Sequence, residues 1–294
     1  METDLPAFAK LFAAWQLRVD GQISTPVEDF VSFTWNDESF DAATGSRVFE
    51  DADGRVVAFT MLFYPPVGDG SPESLVVTRS GGAAHRHELL GWGESRTRKL
   101  KKGRLQTSAP RSDLEASTVA HDRGYRTVRA AFVMGIDLAD AGATAAHPAA
   151  TPEIRTARPS DAEGLYAMHQ LAFEEHWGFV PESFDAWSRR LRPPNDLDLF
   201  FVAIVDNRPV AMCSVVIEGD LANVAEVATH PAFRRQGLAS ALLRRAFGAA
   251  ASHGCPRATL MVDTTNETGA VAVYERAGMT QVSVLDVYEL TFDA

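Results

Sequence analysis

The chain has 294 residues, a length that suits two domains of about 150 residues better than one core. Apolar residues make up 46% of it and charged residues 23%, as in ordinary globular proteins, and no apolar run reaches the roughly 18 residues that span a membrane. The formal net charge of −11 argues against a general nucleic-acid binder, and two cysteines without a basic leader segment predict a cytoplasmic protein.

The first half is predicted to begin almost directly with a helix, so we expect no strand before it. Its further predicted elements are a hairpin over 47–50 and 56–63, a strand over 75–78, a polar helix over about 86–99, a helix over 115–123 and a strand over 126–138. Gly124 ends the second of these helices. These elements predict an α/β unit.

A linker is predicted at 141–152, where small residues and prolines show no apolar period. The elements predicted after it are a strand at 154–157, a helix to about 173, strands over 199–205, 210–217 and 224–229, a helix that follows Gly237, a strand over 258–262, a short helix over about 269–276 and a strand over 281–290. The order resembles that of the first half.

Two local similarities support an internal duplication. Val76-Val77-Thr78 parallels Val227-Ala228-Thr229, and Gly124 parallels Gly278, each at a spacing of roughly 150 residues. We favour a repeat over a chance likeness of two α/β halves. The predicted domains are therefore 1–140 and 153–294, joined by the linker at 141–152.

The stretch from 227 to 239 carries the most chemical information. A strand ends, a tight loop holds two arginines, and Gly237 opens a helix whose first N–H groups have no partner within the helix. Such a helix start can cradle a pyrophosphate, although an ordinary loop with solvated arginines has the same residue types. The candidate residues for this cradle are Arg234, Arg235, Gln236, Gly237, Leu238 and Ala239.

This stretch resembles the acyl-CoA signature of the GNAT superfamily of N-acetyltransferases. Arg234-x-x-Gly237-x-Ala239 is similar to the family's pyrophosphate motif, and Asn266, followed by Tyr274 four residues before Gly278, is similar to its second motif. The resemblance covers residues 154–290. It implies two GNAT-like domains, each a mixed, mostly antiparallel sheet flanked by helices, and acetyl-CoA as acyl donor without a metal.

The resemblance also implies roles for individual residues. An amine attacks the acetyl thioester directly, a backbone N–H near Val227 to Thr229 stabilises the oxyanion, and Tyr274 is the expected general acid for the departing thiolate. Cofactor binding is implied for Val227, Ala228 and Thr229 through the strand backbone, and Asn266 would hydrogen-bond the cofactor arm. The alternatives are a packed tyrosine at 274 and a helix N-cap at 266.

The general base is less well defined by the sequence. Glu226 is the carboxylate of the fourth strand, but alternation places it opposite Val227 unless the strand bulges, and water-relayed deprotonation is the alternative. Asn223, on the expected face, cannot be a base. His176 and Trp177 follow the first helix of this half and are candidates for the acceptor site, or a packed helix end.

The first half lacks the corresponding residues. At the offset of the repeat, Arg86 stands where Gly237 stands, Glu88 where Ala239 stands, and Ala120 where Tyr274 stands. We therefore expect the N-terminal copy to be degenerate, in a tandem layout similar to that of mycothiol synthase.

The expected activity is transfer of an acetyl group to an amine of a small molecule. The alternatives are acetylation of a cysteinyl amine, as in mycothiol synthase, and a non-catalytic acyl-CoA sensor. The expected partner is the amine acceptor, with neither nucleic acid nor membrane, and the oligomeric state stays open.

Overall fold

The computed structural model describes residues 5–22, 40–64, 71–141, 152–174, 179, 181–192, 196–265 and 269–292. The chain divides into two compact units. The first unit comprises Met1–Val133, Asp263–Thr265 and Val282–Ala294, and the second comprises Met134–Val262 and Asn266–Gln281. Within the described ranges, no helix is long and apolar enough to cross a membrane.

The described residues form eleven strands, nine α-helices and four 3-10 turns. The strands are β1 (Ser46–Glu50), β2 (Val56–Phe63), β3 (Glu73–Thr78), β4 (Arg104–Pro110), β5 (Arg126–Asp137), β6 (Glu153–Thr156), β7 (Phe200–Val205), β8 (Arg208–Glu218), β9 (Leu221–Thr229), β10 (Arg257–Asp263) and β11 (Thr280–Thr291). The α-helices are α1 (Leu5–Asp20), α2 (Ala42–Gly45), α3 (Ala83–Lys99), α4 (Leu114–Asp122), α5 (Leu138–Ala141), α6 (Ala162–Phe173), α7 (Phe184–Ser188), α8 (Leu238–Ser252) and α9 (Ala270–Arg276). Single 3-10 turns lie at Pro159–Asp161, Arg189–Leu191, Leu197–Leu199 and Pro231–Phe233.

The sheet of the first unit has the strand order β1-β2-β3-β4-β11-β5. The pairs β1·β2 and β2·β3 are antiparallel, whereas β3 and β4 are parallel. β11 pairs antiparallel with β4, from Leu285–Pro110 to Thr291–Arg104, and Tyr288 packs among the buried residues of this unit. The end of the chain therefore completes the sheet of the first unit.

The position of β11 in the sheet does not follow the order of the sequence. β11 follows the second unit along the chain but belongs by its pairing to the first unit. That the chain folds as two separate domains, with the boundaries 1–140 and 153–294, stays a prediction.

The sheet of the second unit has the strand order β10-β9-β8-β7-β6. One face of β7 packs with α6, because Phe200, Val202 and Ile204 share a buried cluster with Leu165 and Met168. The alternate residues of β7 are buried as well, and α8 contacts this strand, which gives the sheet a second helical layer. Both faces of the central strands are thus covered, as their continuous apolar sequence predicts.

Most predicted elements are present, with small differences at their ends. The predicted helix after Gly237 is α8, whereas the polar helix α3 begins at Ala83 instead of about 86. The prediction missed β4, because before the buried Pro110 at its end only the alternate residues Leu105, Thr107 and Ala109 are buried, and two of these are small or polar. It also missed α7, whose five residues are too few to show a helical period.

The position of β11 in the first unit leads to a prediction about the stability of that unit. Tyr288, 2% exposed in the core of the first unit, should cost about 3–5 kcal/mol of unfolding free energy when truncated in Tyr288→Ala. Thr291→Ala, at an exposed end of the same strand, is the matched control and should cost far less. Urea denaturation of both variants gives the comparison. Equal losses would show that β11 does not stabilise this core.

Candidate active site

The parallel strands β9 and β10 separate part-way along the second sheet. Within the described part of the chain they pair at Leu221–Arg257, Ala222–Ala258 and Asn223–Thr259, and no further. Both strands continue, β9 to Thr229 and β10 to Asp263. A gap therefore opens beside the second half of β9.

The other edge of β9 stays paired and fixes which groups face this gap. β8 pairs antiparallel with β9 up to Ala211–Thr229, and just beyond, His230 N–H donates to the Val210 carbonyl at 2.9 Å. Hydrogen-bonded and non-bonded pairs alternate in such a ladder. Counting back from His230, the N–H and C=O groups of Thr229 and Val227 point away from β8 and toward the gap.

The gap ends at the loop that opens α8. Gly237 caps this helix with a φ of +80°, in the left-handed region, and a Cβ built on it would have no atom within 4 Å. The first hydrogen bond at the helix start runs from Ala241 N–H to the Gly237 carbonyl at 3.0 Å, so earlier N–H groups lack a partner within the helix. Arg235 also has a positive φ, of 63°. This open, strained loop can admit an anion close to its backbone.

The side chains of the loop divide into two groups. Arg234 turns inward, where its Nη2 donates to the Ala172 carbonyl at 3.2 Å and its Nε to the Thr229 carbonyl at 3.4 Å. It thereby ties the loop to the end of α6 and to β9. Arg235 and Gln236 are exposed, whereas Leu238 is buried and can offer only its backbone.

Tyr274, the predicted general acid, lies on α9. Its side chain is 9% exposed, and no described residue hydrogen-bonds its hydroxyl. Burial, with a smaller contribution from the nearby Cys213 thiol, raises the pKa of Tyr274 to about 12. The phenol is therefore neutral at physiological pH and remains a hydrogen-bond donor.

Glu226, the candidate base, follows a bulge in β9. Glu226 pairs with Ser214 while Val224 pairs with Val215, so Ala225 is the extra residue. The bulge lies before Glu226, which therefore still alternates with Val227 and faces α6. Sequence analysis had left open whether a bulge occurs here.

Two charged or titratable side chains lie close to the Glu226 carboxylate. Oε1 lies 3.3 Å from Arg190 Nε and 3.6 Å from His169 Nε2, while Oε2 is buried and has no partner among the described residues. Burial by itself raises the pKa of Glu226, but the neighbouring His169 ring and the Arg190 charge outweigh it, and the pKa lies below the ordinary value. Glu226 is thus a carboxylate at neutral pH.

The candidate site residues in the structure differ in part from those that the sequence predicts. His176, Trp177 and Asn266 lie outside the described residues. Conversely, sequence analysis missed His169 and Arg190, which the fold brings to Glu226. A signal for His169 existed, since a histidine on the buried stripe of α6 needs a polar partner.

The first unit contains a similar separation of strands. β3 and β4 pair at Glu73–Gln106 and Ser74–Thr107 within the described ranges, and β3 then continues to Thr78. Here two arginine side chains donate hydrogen bonds to backbone carbonyls of the separated part of β3. Arg86 Nη1 donates to the Val76 carbonyl at 3.0 Å, and Arg18 Nη2 donates to the Thr78 carbonyl at 3.2 Å.

Arg86 is buried, and its charge is balanced. Its side chain lies 3.4 Å from the Asp113 carboxylate, which also accepts a hydrogen bond of 2.6 Å from Trp15 Nε1. The cluster of Arg86, Asp113 and Trp15 therefore fills the first unit where the second unit has an open gap.

The predicted alignment of Arg86 with Gly237 is wrong. Four residues separate Thr78 from α3, whereas eight separate Thr229 from α8, so the glycine that caps α3 is Gly82. Arg86 and the exposed Glu88 lie further along the helix. A Cβ at Gly82 would approach the Thr78 Cβ to 2.7 Å, so this shorter loop lacks the open space found at Gly237.

The geometry of the second unit agrees with a comparison to known families. Residues 162–279 match the acetyltransferase (GNAT) family. This part of the chain belongs to the GNAT family. The GNAT domain therefore makes the protein an acyltransferase, of a family that transfers acyl groups from acyl-CoA to amines.

Solved structures of low sequence identity show the same fold over the whole chain. A GCN5-related N-acetyltransferase from Sphaerobacter thermophilus is 24% identical with a TM-score of 0.78, over 99% of this chain and 93% of that one. A tandem GNAT protein from the clavulanic acid biosynthesis pathway is 16% identical with a TM-score of 0.72, over 100% and 96%. Both units are thus GNAT-like, as the internal repeat predicts.

The buried cluster of the first unit generates a second prediction. Asp113→Asn removes the charge that balances Arg86 and should cost about 3–5 kcal/mol of unfolding free energy. Asp122→Asn, exposed at the end of the same helix α4, is the matched control and should be nearly neutral. Chemical denaturation measures both. A small loss for Asp113→Asn would mean that Arg86 does not depend on this partner.

Proposed function

We propose that the GNAT domain transfers an acetyl group from acetyl-CoA to an amine of a small molecule. The observation that carries the proposal is the gap between β9 and β10, which runs from Asn223 to the open loop at Gly237. A gap of this kind offers a strand edge to an extended ligand and a helix start to its phosphates.

The chain's groups fit such a donor. The N–H groups of Arg235 to Ala239 would bind the pyrophosphate, with the exposed Arg235 and Gln236 beside it, and the edge of β9 at Val227 and Thr229 would bind the pantetheine arm. Asn266 is proposed to contact the same arm. Bound acetyl-CoA supplies the acetyl thioester.

The remaining roles follow from charge and burial. The N–H group of Val227 would donate to negative charge that develops on the acetyl oxygen. The neutral Tyr274 hydroxyl would donate to the departing sulfur. Glu226, whose side chain is 20% exposed and whose Oε2 has no partner among the described residues, would take the proton of the acceptor amine.

The loop can be tested with a pair of glycines. Gly237 and Gly254 lie at the two ends of α8, both with positive φ and with no atom within 4 Å of a built Cβ. Replacement by alanine should strain both equally, by about 1 kcal/mol. Gly237→Ala should weaken CoA binding at least about tenfold by calorimetry, which is about 1.4 kcal/mol, whereas Gly254→Ala should leave it unchanged. Equal affinities would locate the pyrophosphate elsewhere.

Tyr274→Phe tests the general acid. It should lower kcat about 10²-fold or more while acetyl-CoA affinity changes little, because the ring keeps its packing and loses the hydroxyl. Tyr125→Phe, which removes a buried unpartnered hydroxyl in the first unit, is the control and should leave kcat unchanged. Benzylamine, spermidine and glucosamine form the acceptor panel. A near-native kcat for Tyr274→Phe would remove Tyr274 from the reaction.

The same assay separates an enzyme from a sensor. Wild-type protein should release CoA faster with at least one panel amine than with water. Tight CoA binding without any acetylated product would favour the non-catalytic sensor.

A further inference from the structure

The side chain that faces Glu226 from α6 is a buried histidine. His169 is 4% exposed, and its ring packs against Phe173, Trp187 and Phe179, with centroid distances of 4.6, 5.7 and 6.2 Å. A polar ring in such an apolar environment needs a hydrogen-bonding partner for each nitrogen. Nδ1 lies 3.3 Å from Gln170 Nε2, and Nε2 faces Glu226 Oε1 at 3.6 Å.

This arrangement selects one tautomer of the imidazole. The Gln170 amide nitrogen can only donate, so Nδ1 accepts and the ring proton lies on Nε2. Nε2–H then points at the Glu226 carboxylate. His169 is therefore a donor to Glu226 and not a second base.

Arg190 approaches the same carboxylate oxygen. Its Nε lies 3.3 Å from Glu226 Oε1, and its Nη2 lies 2.8 Å from Glu182 Oε1. Two donors, on α6 and on the 3-10 turn at Arg189–Leu191, thus converge on Oε1. Oε2 is buried and has no partner among the described residues.

The charges around this pocket leave an excess of negative charge. Glu226 and Glu182 each carry one negative charge and Arg190 one positive charge, with the imidazole neutral in this tautomer. At the end of α6 lie the exposed Glu174, which follows the last residue of the helix, and Arg234, which donates to the Ala172 carbonyl.

We propose that His169 is a positioning residue for Glu226, which together with Arg190 holds the carboxylate through Oε1 so that it can take the proton of the acceptor amine. This inference rests on the proposed function. The N–H bond of the acceptor ammonium breaks, its proton passes to the Glu226 carboxylate, and the nitrogen lone pair becomes available for attack. His169 exchanges no proton with the acceptor and only holds the carboxylate in position.

The expected signature is a shift in the pH profile. Loss of a donor to the carboxylate raises the pKa of Glu226, so the rising limb of kcat/KM should move to higher pH. His169→Leu should shift this limb by about one pH unit, which lowers kcat/KM about tenfold on the acid side. His169→Gln, whose amide can donate to the same oxygen, should restore most of the wild-type profile.

The profiles are measured with acetyl-CoA and the panel amine that wild-type protein acetylates fastest. His253→Leu, which removes a half-exposed imidazole at the end of α8, is the matched control and should leave the limb in place. Arg190→Gln, at a partly exposed position, should move the limb in the same direction as His169→Leu, and it serves if the leucine variant does not fold.

A double-mutant cycle tests whether His169 acts through Glu226. In a Glu226→Gln background, His169→Leu should lower kcat/KM by less than about twofold, because the carboxylate it positions is gone. The proposal would be overturned if His169→Leu lowered kcat/KM as much in the Glu226→Gln background as in the wild-type protein. It would also be overturned if neither His169→Leu nor Arg190→Gln shifted the rising limb of the pH profile.

Failure of this inference can be told apart from failure of the proposed function. CoA affinity by calorimetry should be native in all these variants, since none contacts the loop at Gly237. If wild-type protein acetylates no panel amine, the proposed function is wrong and this inference falls with it. If wild-type protein turns over and the profiles coincide, only the role of His169 is wrong.

Discussion

Backbone groups that lose a sheet partner must find another one, and this constraint governs both units. β9 and β10 stop pairing after Asn223, although both strands continue. Inside a folded protein, an unpaired N–H or C=O group costs free energy comparable to a lost hydrogen bond. The gap is therefore either filled by the chain itself or kept for a ligand.

The two units meet this constraint differently. In the first unit, Arg86 and Arg18 donate to the carbonyls of Val76 and Thr78, and Asp113 balances the buried charge. In the second unit, the loop is four residues longer, Arg234 takes the Thr229 carbonyl, and Val227 stays open to the gap. A duplicated GNAT-like fold thus has one closed copy and one copy suited to an acyl donor.

The sequence predicts a structural feature when the residues that produce it lie close together in the chain. The position of α8 and its opening glycine follow from a helical period and a strand-loop-glycine pattern within about 25 residues. The predicted alignment of Arg86 with Gly237 is wrong, because an alignment at one constant spacing cannot account for a loop that is four residues shorter in the first unit. The pairing of β11 with β4, and of His169 with Glu226, joins residues far apart in the chain, where no local pattern reports contact. Glu226 itself was proposed as the carboxylate of its strand, but its unpartnered oxygen is visible only in the fold.

The central claim is that the strand gap and loop of the second unit bind the acyl donor, and that those of the first unit do not. Hydrogen–deuterium exchange of the full chain, with and without CoA, tests this most directly. The account predicts slower amide exchange on CoA binding in peptides covering Val227 and Arg235 to Ala239, and unchanged exchange in the peptide covering Arg79 to Ala83. Protection of the first-unit loop, or no protection of the second while CoA is bound, would contradict it.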